Sequence, residues 1–212
     1  MNVRVNDYGT IRRHSWAIPF EMVLIVSASL LLYLGNYGHM AIALFLFVVS
    51  FLPLLVERIW QVRIPAFIHT AYVMFIFASL FCGEVLGMYI RFYPWDDILH
   101  LVSGLLVAVC SMLWLTTVIQ RAKMQLSAWL YALSVFCLGA AVAVVWEVVE
   151  FCSDQIFGTF MQRNDQFDTM TDLIYGTGGA LFIAVLLYCY LLEKHSLGLG
   201  RIVAYYVQLN RP

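Results

Sequence analysis

Apolar residues along this chain fall in long runs divided by shorter polar joints. A helix needs about 20 mostly apolar residues to cross roughly 30 Å of hydrocarbon. Six runs meet that need, at 17–35, 39–56, 66–90, 98–119, 128–152 and 173–192. The joints GNYG (35–38), ERIWQVRIP (57–65), RFYPWDD (91–97) and QRAKMQ (120–125) are polar or turn-forming, and the longest, 153–171, is strongly polar with no apolar run of its own. After Lys194 the tail HSLGLGRIVAYYVQLNRP is too short to span and mixes apolar, Tyr and Arg residues as an interfacial segment does. The pattern predicts an all-α polytopic membrane protein. It has one transmembrane domain over 1–212: an N-terminal segment 1–16, a six-helix bundle 17–192 and an interfacial tail 193–212. No internal repeat or low-complexity stretch interrupts it.

Composition agrees. The chain has 212 residues, is 63% hydrophobic and only 12% charged, and its mean hydropathy is +0.85. A soluble domain carries roughly twice that charge, because its surface must face water. No basic run or aromatic-basic patch points to nucleic acid. The odd set Cys82, Cys110, Cys137, Cys152 and Cys189 lies in or beside apolar runs with no CxxC pair, so it reads as packing residues rather than a disulfide framework or zinc site. The N-terminus is polar and basic, with no small-residue cleavage site after the first apolar run, so that run reads as a retained helix.

Charge distribution sets the expected orientation. With the N-terminus in the cytoplasm, six crossings return the C-terminus there. The inner segments then hold Arg4, Arg12, Arg13, Arg58, Arg63, Arg121, Lys123, Lys194, Arg201 and Arg211, leaving Arg91 and Arg163 outside. The loops 91–97 and 153–171 are therefore expected on the outer side of a bacterial inner membrane. Glu84, Asp96, Asp97, Glu147, Glu150, Asp154, Asp165, Asp168 and Asp172 gather at that side as well. Acids contribute little to orientation, so their clustering needs its own explanation.

Three stretches carry the cluster. Asp96, His100 and Gly104 are four apart and stack on one face at the start of the fourth helix. Glu147, Glu150 and Asp154 share a face near the end of the fifth, where acids oppose the helix dipole and capping does not explain them. Asp168 and Asp172 open the sixth on a face that continues into Gly176, Gly179 and Ala180. Counting 1.5 Å per residue from the inner helix ends puts these groups, and Glu84, about 27 to 31 Å away, in one plane near the outer boundary. Gly104, Gly139, Ala140, Ala141, Gly176 and Gly179 lie beneath them and permit close helix approach. His14, His39, His69 and His195 read as structural or interfacial, and Glu21 as interfacial.

Carboxylates drawn together without basic partners repel and resist joint ionisation, and a divalent cation or shared protons relieve that. Glu and His facing inward at helical spacing form metal sites in other bundles. The candidate ligands are His100, Glu147, Glu150, Asp154, Asp168 and Asp172; oxygen donors with one His suit Mg²⁺, Mn²⁺, Ca²⁺ or iron better than a structural zinc, and spacing does not choose among them.

The same stretches resemble bacterial inner-membrane proteins of the YjdF type, a family of unknown function, and more distantly the VanZ-like teicoplanin-resistance proteins. The resemblance covers about residues 95–180. Asp-x3-His-x3-Gly matches Asp96, His100 and Gly104; Glu-x2-Glu matches Glu147 and Glu150; Asp-x2-Asp-Thr-x2-Asp matches Asp165, Asp168, Thr169 and Asp172, followed by Gly179 and Ala180. At Asp97 the chain departs from VanZ-like proteins, which tend to carry Lys there. The resemblance implies a helical membrane fold with this polar site and supplies no reaction.

Three functions follow as expectations. One is a metal-dependent hydrolase of a phosphate-bearing lipid or lipid-linked substrate, with Asp96, His100, Glu147, Glu150, Asp168 and Asp172 as catalytic groups and Arg91 or Arg163 holding phosphate. The second is a cation or proton transporter using intramembrane carboxylates. The third is a non-catalytic scaffold or envelope-stress factor.

Overall fold

The computed structural model describes residues 15–163, 165–193 and 198–210, with the side chains of Trp16 and Glu193 excepted. The basic residues Arg4, Arg12, Arg13, Lys194 and Arg211, together with His14 and His195, lie outside them. The described residues are helical: α1 (Ile18–Tyr33), α2 (Tyr37–Val49), α3 (Leu52–Trp60), α4 (Ala66–Ile76), a π-helical continuation (Phe77–Val85), α5 (Met88–Arg91), α6 (Trp95–Ala122), α7 (Ala128–Phe157), α8 (Gln166–Glu193) and α9 (Leu199–Leu209).

Among the described residues, five stretches are long and apolar enough to cross a membrane: Tyr37–Trp60, Ala66–Val85, Trp95–Ala122, Ala128–Phe157 and Gln166–Leu192. α1 is apolar but has 16 residues, a length of about 24 Å. Large apolar side chains cover the helix surfaces: Val26 is 65% exposed, Val48 68% and Ile174 63%. In water such a surface would associate; in hydrocarbon it is the surface a spanning helix needs.

The described chain forms two compact units, residues 15–95 with 205–210 and residues 96–204. In the first, Leu24 of α1, Leu46 of α2 and Phe81 of the π-helical segment form the core. α2 and α3 make one crossing broken at Ser50–Phe51. Pro53 lacks the N–H that would bond the Val49 carbonyl, and the Tyr72 hydroxyl donates to that carbonyl instead at 3.1 Å. Acids are buried here too. Glu21 accepts from Ser50 Oγ at 2.9 Å, and Glu57 accepts the Ile64 N–H at 2.6 Å while facing His69 Nε2 at 3.5 Å. Asn210, just past α9, brackets Arg63: its Oδ1 accepts the Arg63 N–H at 2.6 Å and its Nδ2 donates to the Arg63 carbonyl at 2.9 Å.

Several boundaries differ from those the polarity of the sequence predicts. Glu57–Trp60 is helical rather than joint, α6 begins at Trp95, α7 runs on to Phe157 and α8 begins at Gln166, so the connection expected over 153–171 shrinks to 158–165. Polarity marks where hydrocarbon ends, and a helix continues past that point while its backbone bonds remain intact. Glu147 and Glu150 consequently sit well inside α7, where the opposing dipole argument no longer applies to them. Glu21, expected at an interface, is buried at 7% exposure, and His69, expected to be structural, is buried at 1%.

Candidate functional site: a carboxylate–histidine cluster

In the second unit, glycine contacts bring α6, α7 and α8 together. A Cβ on Gly104 of α6 would strike the Gly176 carbonyl of α8, and one on Gly139 of α7 would lie 2.5 Å from the Ala180 methyl of α8. No larger residue fits either position, so the small residues set the helix separation. The faces that carry them continue, toward the start of α6, into the polar cluster.

His100 stands at its centre, 7% exposed. Its Nε2 lies 3.6 Å from Asp96 Oδ1 and 3.8 Å from Asp172 Oδ2, and its Nδ1 lies 3.7 Å from Glu147 Oε1. Asp96, His100 and Asp172 form one group able to hold a metal ion, and His100, Glu147 and Glu150 form another. Glu150 accepts the Trp146 indole N–H at 2.7 Å. Glu147 Oε1, Asp168 Oδ2 and Asp172 Oδ1 are buried without a hydrogen-bond partner among the described residues. Buried polar atoms normally have partners, and these three oxygens are exceptions among the described residues.

One basic residue does reach the cluster. Arg163 donates to Asp168 Oδ1 at 3.0 Å and lies 3.4 Å from Asp96 Oδ2. The expectation of carboxylates without a basic partner is therefore corrected: the short loop, with Arg163 in the left-handed region at φ 50°, turns the guanidinium back onto α6 and α8. Arg91 lies exposed on α5 in the other unit.

Asp154 and Asp165 organise the loop. Asp154 accepts from Thr159 Oγ1 at 2.6 Å, from the Met161 N–H at 2.8 Å and from the Gln162 N–H at 3.0 Å, and it belongs to neither metal-capable group. Asp165 caps α8 by accepting the Phe167 N–H at 2.9 Å. Glu84 is exposed in the first unit. The cluster the structure assembles is thus Asp96, His100, Glu147, Glu150, Asp168 and Asp172, held by Arg163 and flanked by Trp146 and Gln162. Trp146 carried a readable signal, four residues before Glu150 on the same helix face. The side-chain amide of Gln162, 3.4 Å from Glu147 Oε2, carried none.

The model of a family described as "Predicted membrane protein (DUF2238)" matches residues 17–193. The chain belongs to this family. The match extends beyond the three motifs to all six apolar runs of this DUF2238 member and agrees with a resemblance to proteins of the YjdF type. An uncharacterized protein of Thermotoga maritima is 28% identical over 143 residues, covering 66% of this chain and 71% of its own length. No solved structure matches the chain. Family and helices together make it a multi-pass membrane protein.

Proposed function

We propose that this chain is a divalent-metal-dependent membrane hydrolase acting on a phosphate-bearing lipid or lipid-linked substrate. One observation carries the reading: a buried histidine has carboxylates off both ring nitrogens, and two of their oxygens, Glu147 Oε1 and Asp172 Oδ1, have no hydrogen-bond partner among the described residues. In metal sites the ligating histidine commonly gives its second N–H to a carboxylate. Here Nδ1 with Glu147 and Glu150 would hold the ion, while Nε2–H faces Asp96 and Asp172. A divalent ion held there would supply an activated water and neutralise charge on phosphoryl oxygens. Asp172 would take the proton of the water that adds to phosphorus and pass it to the leaving oxygen as that oxygen's bond to phosphorus breaks. Arg163 is the phosphate contact of this reading, exchanging a carboxylate partner for the substrate.

The basic-residue distribution supports both termini in the cytoplasm and the cluster at the outer face of a bacterial inner membrane. The distant VanZ-like resemblance fits an envelope role. Against transport stands the interior beyond the cluster, where Ala108, Met112, Val135, Ala180 and Leu187 are all 0% exposed. A charge crossing such a lining costs several kcal/mol without a water path.

The test is phosphate release from a lipid-phosphate substrate by purified protein with and without chelator, beside ion flux in liposomes. The reading expects release that chelator stops and no flux. Chelator-insensitive release would contradict the metal, and a flux abolished by Glu150→Gln would install the transporter.

A further inference from the structure

Beside the cluster a groove of about 480 Å³ runs between α7 and α8. Its polarity changes along its length. At one end Val144 of α7 and Leu173 of α8 line it; Glu147 and Thr169 follow; Phe151 and Gln166 come next; Gln155 and Gln162 stand at the loop end. The α7 stretch from Val144 to Gln155 spans about 16 Å. Glu147 is 5% exposed and lines the groove near its apolar end, with its Oε1 facing His100 Nδ1 at 3.7 Å.

The other lining groups define what lies beyond that point. Three carboxamides and a hydroxyl give and accept hydrogen bonds without carrying charge. Phe151, 53% exposed, offers a ring face. Among the described residues, the charged lining groups are Glu147, Asp154 and Asp165, and no Lys or Arg lines the groove. Such a surface repels an anionic headgroup and suits a polyhydroxyl one, whose many O–H groups need both donors and acceptors.

We propose that this groove binds an amphiphile with an uncharged polyhydroxyl head, its apolar chain against Val144, Val148 and Leu173 and its head against Phe151, Gln155 and Gln166. The inference goes beyond the hydrolase reading and does not rest on it. Binding of the head and chain needs neither metal nor turnover.

The experiment is native mass spectrometry of the full chain released from a sugar-free detergent in the presence of chelator. Two probes with identical acyl chains are titrated, monoglucosyl diacylglycerol and phosphatidic acid. Wild type retains the glucosyl lipid at least about tenfold more tightly, a difference of about 1.4 kcal/mol. Gln155→Ala with Gln166→Ala removes two neutral hydrogen bonds and weakens glucosyl lipid by about tenfold, with phosphatidic acid unchanged. Equal or stronger retention of phosphatidic acid by wild type, a comparison that needs no variant, overturns the proposal. So does a double variant that binds the glucosyl lipid as wild type does. Because chelator is present throughout, this preference stands or falls apart from the metal: protein that binds metal and releases lipid phosphate yet shows no preference leaves the hydrolase and ends this inference.

Discussion

Each of the two units buries acids and a histidine among apolar helices, but the buried groups are arranged differently. In the first, Glu57 is 0% and His69 1% exposed; Glu57 accepts a backbone N–H and faces a single histidine, and Glu21 is met by the Ser50 hydroxyl. These acids join one segment to another. In the second, Asp96, Glu147 and Asp172 all converge on His100 within 3.8 Å, three carboxylate oxygens lack hydrogen bonds, and a groove reaches one of the acids. Burial alone does not distinguish a structural acid from a functional one. The two sets differ in crowding, in acceptors without a partner among the described residues, and in access.

The comparison breaks most visibly at Glu57. Removing one partner of a buried pair leaves the other uncompensated, at a cost of about 3 kcal/mol. Glu57→Ala is expected to lower the melting temperature in detergent by about 6 to 12 °C while leaving the metal content of the second unit unchanged. A variant that melts like wild type would show that Glu57 is not a structural link and would erase the contrast.

A smaller effect tests the packing that assembles the cluster. In Gly104→Ala the new methyl meets the backbone carbonyl of Gly176, which has no rotamer to yield, so about 2 kcal/mol is lost. Gly178→Ala, on the same α8 but with nothing within 4 Å of its added methyl, is expected to be neutral or to stabilise by up to about 1 kcal/mol through helix propensity. Thermal unfolding of both variants reads the difference. Equal melting temperatures would mean that helix separation is not set at Gly104.

Smallest is Arg163→Ala. Its guanidinium holds Asp96 and Asp168, but the side chain is 22% exposed, so the loss is about 1 kcal/mol in metal-free protein. A divalent cation is not expected to recover it, because the ion of the proposed reading sits at His100, Glu147 and Glu150 and not at the carboxylates Arg163 holds. Full recovery at saturating Mg²⁺ and Mn²⁺ would move the ion onto Asp96 and Asp168.

Much of the cluster was legible in the sequence because helical spacing needs no tertiary information. Asp96 with His100, Glu147 with Glu150, and Asp168 with Asp172 each share a helix face, and the glycines at 104, 139, 176 and 179 announce where helices touch. What was hidden depends on loops and on helix ends. Asp154 continues the face of Glu147 and Glu150, yet the following residues fold back and occupy its carboxylate with Thr159, Met161 and Gln162. The return of Arg163 depends on one left-handed residue. Glu57 sits in a stretch whose polarity reads as a joint, and its partner Ile64 becomes visible only once the chain after Trp60 is seen to turn.

The central claim is that His100 and its carboxylates hold a divalent cation, and the metal content of protein purified without chelator tests it most directly. Elemental analysis of wild type, His100→Ala and Glu150→Gln, each shown to be folded by its melting curve, is expected to give near-stoichiometric metal in the first. Both variants are expected to lose it by at least about tenfold. Equal metal in all three, or none in wild type, would contradict the account.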